Sequence, residues 1–307
     1  MGPHVLVTLE KRGVSTFDAV RRIANALGVR DGDIGTAGLK DKEAVARQQI
    51  SLPPPVTPEA ALALDVAGVR ILSAARHPNK IKTGHLKGNR FAVVVRGLDL
   101  PVDEAVRRAQ AVLERLARPP GAPNFYGDQR FGADGDNGAQ GLALIRGERV
   151  RSRPREARFL VSAYQSELFN RYLEQRLKDG LYDRVIQGDL LRKNETGGLF
   201  DTTDPALDEG RLHAGEITPT GPMFGAEMRC PAAGTEAARR EAALLAAEGL
   251  TPADFRRVAH IGKGTRRPIA VQAAEASVTE KPAAIELRFV LPAGAYATVV
   301  CGEILKP

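Results

Sequence analysis

Cysteine is scarce in this chain. Cys230 and Cys301 are the only two among 307 residues; they lie far apart and form no CxxC pair. That pattern indicates neither a thiolate zinc site nor a disulfide framework. The five histidines, His4, His77, His85, His213 and His260, have no metal-ligand spacing, so no metal site is expected. Long apolar runs are missing too. No stretch of about 18 apolar residues exists, which excludes a helical membrane span. The start, Met1-Gly2-Pro3-His4, lacks the basic region and apolar run of a signal peptide. Repeats and low-complexity tails are absent, and a reducing cytoplasm is the expected compartment.

What the chain does have is basic charge. Lys and Arg outnumber Asp and Glu 44 to 37, giving a net charge of +7. Nucleic acid is therefore a plausible partner, although a generally arginine-rich composition would give the same balance. Apolar residues make up 43% of the chain, ordinary for a globular protein of one large or two smaller domains.

The pattern along the chain mixes both element types. Val5 to Glu10 reads as a strand. Ser15-Thr16-Phe17-Asp18 is a capping-box pattern opening a helix that Gly28 stops. Gln48 to Leu52 reads as extended, ended by Pro53, Pro54 and Pro55. Val69 to Ala74 and Phe91 to Arg96 read as buried strands, joined by a basic loop from Arg76 to Arg90. Pro101 to Ala117 predicts an amphipathic helix with Ala105, Ala109, Val112 and Leu116 on one face. Ala139 to Ile145 predicts a short helix. Ala157 to Leu177 predicts a longer one, with Phe159, Leu160, Ala163, Leu168 and Tyr172 as core.

From Asp189 to Cys230 the chain reads as short extended pieces, turns and prolines. Glu236 to Glu248 predicts an alanine-rich helix, and Thr251-Pro252-Ala253-Asp254 starts another, with proline at the favoured first position. Ile285, Leu287, Phe289 and Leu291 alternate with Glu286, Arg288 and Val290, the period of a half-buried strand. Strands at both ends around a compositionally distinct centre suggest an insertion.

Two motifs carry chemistry. Ala37-Gly38-Leu39-Lys40-Asp41-Lys42-Glu43-Ala44-Val45, trailed by Gln48-Gln49, offers a carboxylate flanked by ammonium groups. Asn124-Phe125-Tyr126-Gly127-Asp128-Gln129-Arg130-Phe131-Gly132 offers two rings, amides and a guanidinium on a loop broken by glycines. Together they suit a site that grips a planar, polyanionic ligand and attacks it. By themselves, Lys-Asp-Lys could be a solvated turn and the two rings could be core. Gly262-Lys263-Gly264-Thr265 lacks the full spacing of a phosphate-binding loop, so a nucleoside triphosphatase is not indicated.

With Gly84-His85-Leu86-Lys87-Gly88-Asn89-Arg90-Phe91, Ala163-Tyr164-Gln165-Ser166-Glu167-Leu168-Phe169-Asn170 and Leu291-Pro292-Ala293-Gly294-Ala295-Tyr296-Ala297-Thr298, these motifs resemble the TruD family of pseudouridine synthases, which typically modify tRNA at uridine 13. The resemblance runs over nearly the whole chain. It implies an α+β fold: a pseudouridine-synthase catalytic domain on a mixed or antiparallel sheet, residues 1–149 and 269–307. An inserted α/β TRUD domain at 150–268 would interrupt it. The reaction is a redox-neutral isomerisation, so no cofactor is expected. Transfer RNA is the expected partner, with no obligatory protein partner.

By the same resemblance Asp41 is the catalytic aspartate, and a carboxylate can serve as a covalent nucleophile. Whether it attacks ribose or base stays open. Asn124 and Tyr126 are assigned to substrate, as is Tyr296, which stands where the family has a stacking ring. Lys40, Gln129 and Arg130 complete the expected substrate contacts. Lys80, Lys82, Lys87 and Arg90, with Lys263, Arg266 and Arg267, are expected on the RNA backbone, where contacts fix position rather than sequence. Two departures stand out. Phe125-Tyr126 reverses the family's tyrosine-phenylalanine order, and Gly302-Glu303 replaces its Arg-Glu. Family members usually also carry a segment before His4 that supplies a strand and an aromatic contact; its loss would expose a sheet edge. A catalytically impaired RNA-binding protein of the same fold is the alternative expectation.

Overall fold

The computed structural model describes residues 2–82, 84–132 and 134–306. The chain divides into two compact units, one ending at Lys87 and the other beginning at Gly88.

The first unit starts with β1 (His4–Lys11), whose side chains alternate between interior and partly exposed positions, so that Val5, Val7, Leu9 and Lys11 face inward. α1 (Thr16–Leu27) begins where the capping pattern predicts: the Ser15 side chain accepts a hydrogen bond from the Asp18 backbone, and Gly28 closes the helix at φ 68°. Then follow β2 (Gly35–Thr36), β3 (Ala46–Leu52), α2 (Pro58–Leu62) and β4 (Val69–His77). The sheet runs β2-β3-β1-β4. β1 is an inner strand, paired antiparallel with both β3 and β4. Ile23 and Ala24 of α1 pack with Val5, Val7, Leu9, Ile50 and Leu52 into one core.

The second unit opens with β5 (Gly88–Arg96), α3 (Val102–Ala117), β6 (Ala122–Pro123), α4 (Asn137–Arg146) and α5 (Pro154–Lys178). It continues through β7 (Leu190–Lys193), β8 (Leu199–Asp201), α6 (Pro205–His213), β9 (Ile217–Met223), α7 (Glu236–Ala247) and β10 (Thr265–Pro268). It closes with β11 (Ala270–Val271), β12 (Ala274–Lys281), β13 (Ala284–Pro292) and α8 (Ala297–Leu305). One sheet runs β12-β13-β5, a second β10-β9-β7-β8, and β6 pairs with β11. All these pairings are antiparallel, giving the α+β class expected. The alternation read in β13 holds: Ile285, Leu287, Phe289 and Leu291 are buried with Leu113, Leu116 and Val300.

Several expectations need correction. β4 and β5 are not buried strands. Their side chains alternate between partly and fully exposed, because a strand is sealed only when both sheet faces are covered. Arg76 and His77 belong to β4 and Arg90 to β5, so the basic loop is shorter than predicted. The α3 stripe turns slightly, burying Leu113 while Val112 stays partly covered. Phe159 is not core: it is 41% exposed, whereas Leu160, Ala163, Leu168 and Tyr172 are buried. The helix expected after Thr251 is a short 3₁₀ turn, Asp254–Val258. The Asp254 carboxylate turns back to accept from the Thr251 backbone and hydroxyl at 2.9 and 2.8 Å. The Ile261 and Gly262 amides then both return to the Val258 carbonyl. Between Asp189 and Cys230 lies one unforeseen helix, α6, capped by Asp204 with Pro205 in its first turn.

A deeply buried ion pair of the second unit starts from α5. Arg176 on α5 meets both oxygens of Asp189 at 2.8 and 2.7 Å, and both side chains are 1% exposed. Arg176 also donates to the carbonyls of Leu181 and Arg184 and to the Tyr172 hydroxyl. The pair thus fastens the α5–β7 connection with every strong donor used.

Candidate functional site

In the first unit, the Asp41 loop is held from two sides. Lys11 is fully buried at the inward-facing end of β1. Its ammonium donates to the Val14 carbonyl at 2.9 Å and the Asp41 carbonyl at 2.5 Å. Thr16, at the start of α1, accepts from the Lys40 amide at 2.9 Å and donates to the Gln48 side chain at 3.1 Å. Two backbone groups of the motif are therefore fixed, while the Asp41 side chain is exposed, its Oδ1 accepting from the Glu43 amide at 3.1 Å. Burial pushes the Lys11 ammonium below the usual lysine range, with the Asp41 charge partly offsetting this. Burial also lowers Lys40, and repulsion from Lys11 acts in the same direction. Phe17, next to Thr16, is among the exposed large apolar side chains.

In the second unit, residues from four segments converge. Asn124 is buried. Its Nδ2 donates to the Pro268 carbonyl at 2.8 Å, and its Oδ1 accepts from Arg267 at 2.6 Å. Arg267 also donates to the Asn124 carbonyl at 3.1 and 3.0 Å and to the Gly294 carbonyl at 3.0 Å. The guanidinium lies 3.9 Å from the centre of the Tyr126 ring. Tyr126 meets Tyr296 edge-on, with centroids 5.7 Å apart. Asn170 of α5 fixes the Tyr126 backbone from both sides, at 2.9 and 3.0 Å. The exchanged hydroxyl finds a weak acceptor in Met223 Sδ at 3.6 Å. Gly127 is required here, since a Cβ would sit 2.9 Å from Thr298 Oγ1 and 3.4 Å from Tyr296 Cδ1.

Charge at this cluster has one sign. Burial pulls Arg267 below its usual range, the tyrosines Tyr126 and Tyr296 counter it, and Arg130 adds to the lowering. Burial raises Tyr296, with Arg130 foremost in opposing it. Arg130 approaches Tyr126 at 5.6 Å. Among the described residues no carboxylate pairs with Arg130 or Arg267. Two rings, an oriented amide and two guanidiniums, one of them buried, thus stand together without acid partners among the described residues.

The other expected contacts divide. Gln129 is exposed in the 3₁₀ turn Asp128–Arg130. Lys82 and Lys87 are exposed. Lys80 donates to the Gly32 carbonyl at 2.9 Å, Arg90 pairs with Glu275 at 2.7 Å, and Lys263 pairs with Glu227 at 3.1 Å. Arg266 corrects the expectation. It is buried against Glu241 at 2.7 Å and Thr220, leaving its cation turned inward, away from any surface phosphate. Arg267 is likewise no surface cation; it is a supporting side chain of Asn124 and Tyr126. Lys11, Thr16 and Asn170 are not among the expected site residues, although Thr16 lies in the capping pattern and Asn170 ends one of the resembling motifs. Lys11 left a signal of its own, a charge continuing the inward alternation of β1.

A family model for tRNA pseudouridine synthase D (TruD) matches residues 1–152 and 153–304. A tRNA pseudouridine synthase D of Anaeromyxobacter dehalogenans is 48% identical over 99% of this chain and 86% of its own length. One of Thermus thermophilus is 42% identical over 99% and 82%. The fold matches a crystal structure from Methanosarcina mazei assigned to tRNA pseudouridine synthase D, with TM-score 0.75 and 21% identity, covering 100% of this chain and 89% of that one. The architecture is that of an α+β protein of the fold seen in that structure. The chain belongs to the tRNA pseudouridine synthase D (TruD) family. The enzyme class of the family is an isomerase that converts uridine to pseudouridine, as the sequence resemblance implied. No helix among the described residues is long and apolar enough to cross a membrane.

Proposed function

We propose that this chain isomerises uridine 13 of tRNA to pseudouridine, with Asp41 as the nucleophile. The C1′–N1 bond of the nucleotide breaks and a C1′–C5 bond forms; C5 loses a proton and N1 regains one. The Asp41 carboxylate adds to the nucleotide and leaves again, so it ends the cycle unchanged. Lys11 and Thr16 hold the Asp41 loop by its backbone, so the carboxylate is presented to solvent with one backbone amide, that of Glu43, on its Oδ1.

The orientation of Asn124 carries the substrate assignment. Arg267 occupies one Oδ1 lone pair and Pro268 one Nδ2 hydrogen. One acceptor site and one donor site remain, which complement the N3–H and carbonyl edge of uracil. Tyr126 and Tyr296 supply stacking faces for a base taken out of its helix, each such contact worth about 1–3 kcal/mol. Gln129 and Arg130 border the same loop, and Lys82 and Lys87 are exposed cations for phosphate.

The residues between 150 and 268 form the inserted domain in this reading. The pairing of β6 with β11 supports it, because the chain leaves after Pro123 and returns beside it at Ala270. The cytoplasm, where tRNA is processed, is the proposed compartment. The alternative of a catalytically impaired RNA binder gains no support from the relatives. Incubating the protein with unmodified tRNA and mapping pseudouridine by mass spectrometry tests the proposal. The modification is expected at position 13 with the wild-type protein and is expected to be absent with Asp41→Asn.

A further inference from the structure

Phe159 is an exposed ring on the first turns of α5, where the surrounding pattern called for core. An isolated exposed apolar side chain needs no explanation, but this one has a built neighbour. Phe159, Ser162 and Ser166 are spaced three and four apart and share one helix face. Arg130 lies along that face. Its Nη2 donates to Ser162 Oγ at 2.5 Å and its Nε to Ser166 Oγ at 3.3 Å. The guanidinium carbon is thereby fixed 5.1 Å from the Phe159 ring centre and 5.6 Å from that of Tyr126. One pinned cation bridges two rings, only one of which belongs to the base site described above.

Cations outnumber acids around the second ring, where Glu148 and Glu156 are the acids among exposed arginines. Arg149, Arg151, Arg153 and Arg158, on the approach to α5 and its first turns, are all exposed. Among the described residues no Asp or Glu forms an ion pair with these guanidiniums or with Arg130; Glu156 instead accepts from the Arg153 backbone amide at 3.2 Å. An exposed ring beside unpaired guanidiniums is the combination that holds single-stranded nucleic acid: the ring stacks on a base and the cations follow the backbone.

We infer that Phe159 is a second stacking platform, taking a nucleotide that flanks the one held at Tyr126, with Arg130 between the two bases and the arginines before α5 on the adjoining phosphates. This rests on the assignment of Tyr126 to the target base. Phe159 thereby acts in RNA recognition and touches no reacting atom.

The test uses the full chain and tRNA carrying 2-aminopurine at nucleotides next to the target. Stacking on Phe159 is expected to quench the probe at one flanking position in the wild type. Phe159→Ala should lose that quenching and raise KM for tRNA about tenfold, the lower part of what one stacked base provides, with kcat and melting temperature unchanged. Phe159→Trp should restore both readouts. Phe159→Leu, which keeps apolar bulk without a π face, should not, and it guards against a folding defect in the alanine variant. Unchanged KM and unchanged fluorescence at every flanking position in Phe159→Ala would overturn the platform while leaving the proposed reaction intact. If the wild type bound tRNA without forming pseudouridine, the reaction assignment would fall, and the fluorescence arm would still decide the platform.

Discussion

Lys11 shows how much a single side chain can organise. It sits at an inward position of β1, with its ammonium on two carbonyls and, among the described residues, no acid partner in contact. Lys11→Met keeps most of the packed volume and abolishes both bonds. Unfolding by urea should report a loss of about 1–3 kcal/mol, and pseudouridine formation should fall because the Asp41 loop loses an anchor. Burial holds the folded-state pKa of Lys11 below its unfolded value, which is near 10.4. Between those two values the unfolded chain keeps a proton that the folded chain has released. Wild-type stability should therefore rise with pH across that alkaline window, by an increment missing from Lys11→Met. Urea melts of both proteins at several pH values measure the difference. At the base site, Tyr126→Phe removes a weak O–H···S contact and the hydroxyl's interaction with Arg267, whose guanidinium keeps its place over the ring. Its stability should change by no more than about 0.5 kcal/mol with activity retained, whereas Tyr126→Ala should lose activity.

Elements were legible where one local rule decided them. Ser15 and Gly28 bracket α1, and period-two alternation marks β13, because capping and half-burial are written in neighbouring residues. The Asn124–Arg267 bond spans 143 positions, and no local pattern announces such a partner. Arg266 and Arg267 read alike in sequence, yet one meets Glu241 and the other Asn124, because alternate residues of β10 point to opposite sides. Phe159 failed as a core residue for a related reason: helical spacing fixes which side chains share a face, but not what covers that face. α8 was missed because its start, Tyr296, has no capping side chain. The α5–β7 connection gives the clearest prediction at this scale. Asp189→Ala leaves Arg176 charged, buried and without its carboxylate, so stability should fall by about 3–5 kcal/mol, read by thermal or urea unfolding. Gly141 makes α4 and α5 cross closely, since a Cβ there would lie 2.2 Å from the Leu160 carbonyl. Gly141→Ala should force the two helices apart and destabilise the protein.

Taken whole, the chain is a net cation of +7, though several of its exposed arginines already have acids beside them, as Arg107 and Arg108 do on α3. Net charge was thus a weak guide to the RNA-facing surface; cations without acid partners are a better one. Double replacement of Lys82 and Lys87 by alanine should reduce the salt dependence of tRNA binding by about one to two in log–log slope, measured by titration across a salt series. The α+β class and the order of the motifs were readable because the family resemblance runs along the chain. The direction in which each cation points depended on packing that only the folded chain supplies. The central claim is that Asp41 performs the chemistry while the rings and Asn124 hold the base. Its most direct test is single-turnover conversion of uridine 13 in tRNA by the wild type and by Asp41→Asn, with tRNA binding measured in parallel. The account predicts intact binding and no detectable pseudouridine from the variant; pseudouridine formed by Asp41→Asn at the wild-type rate would contradict it.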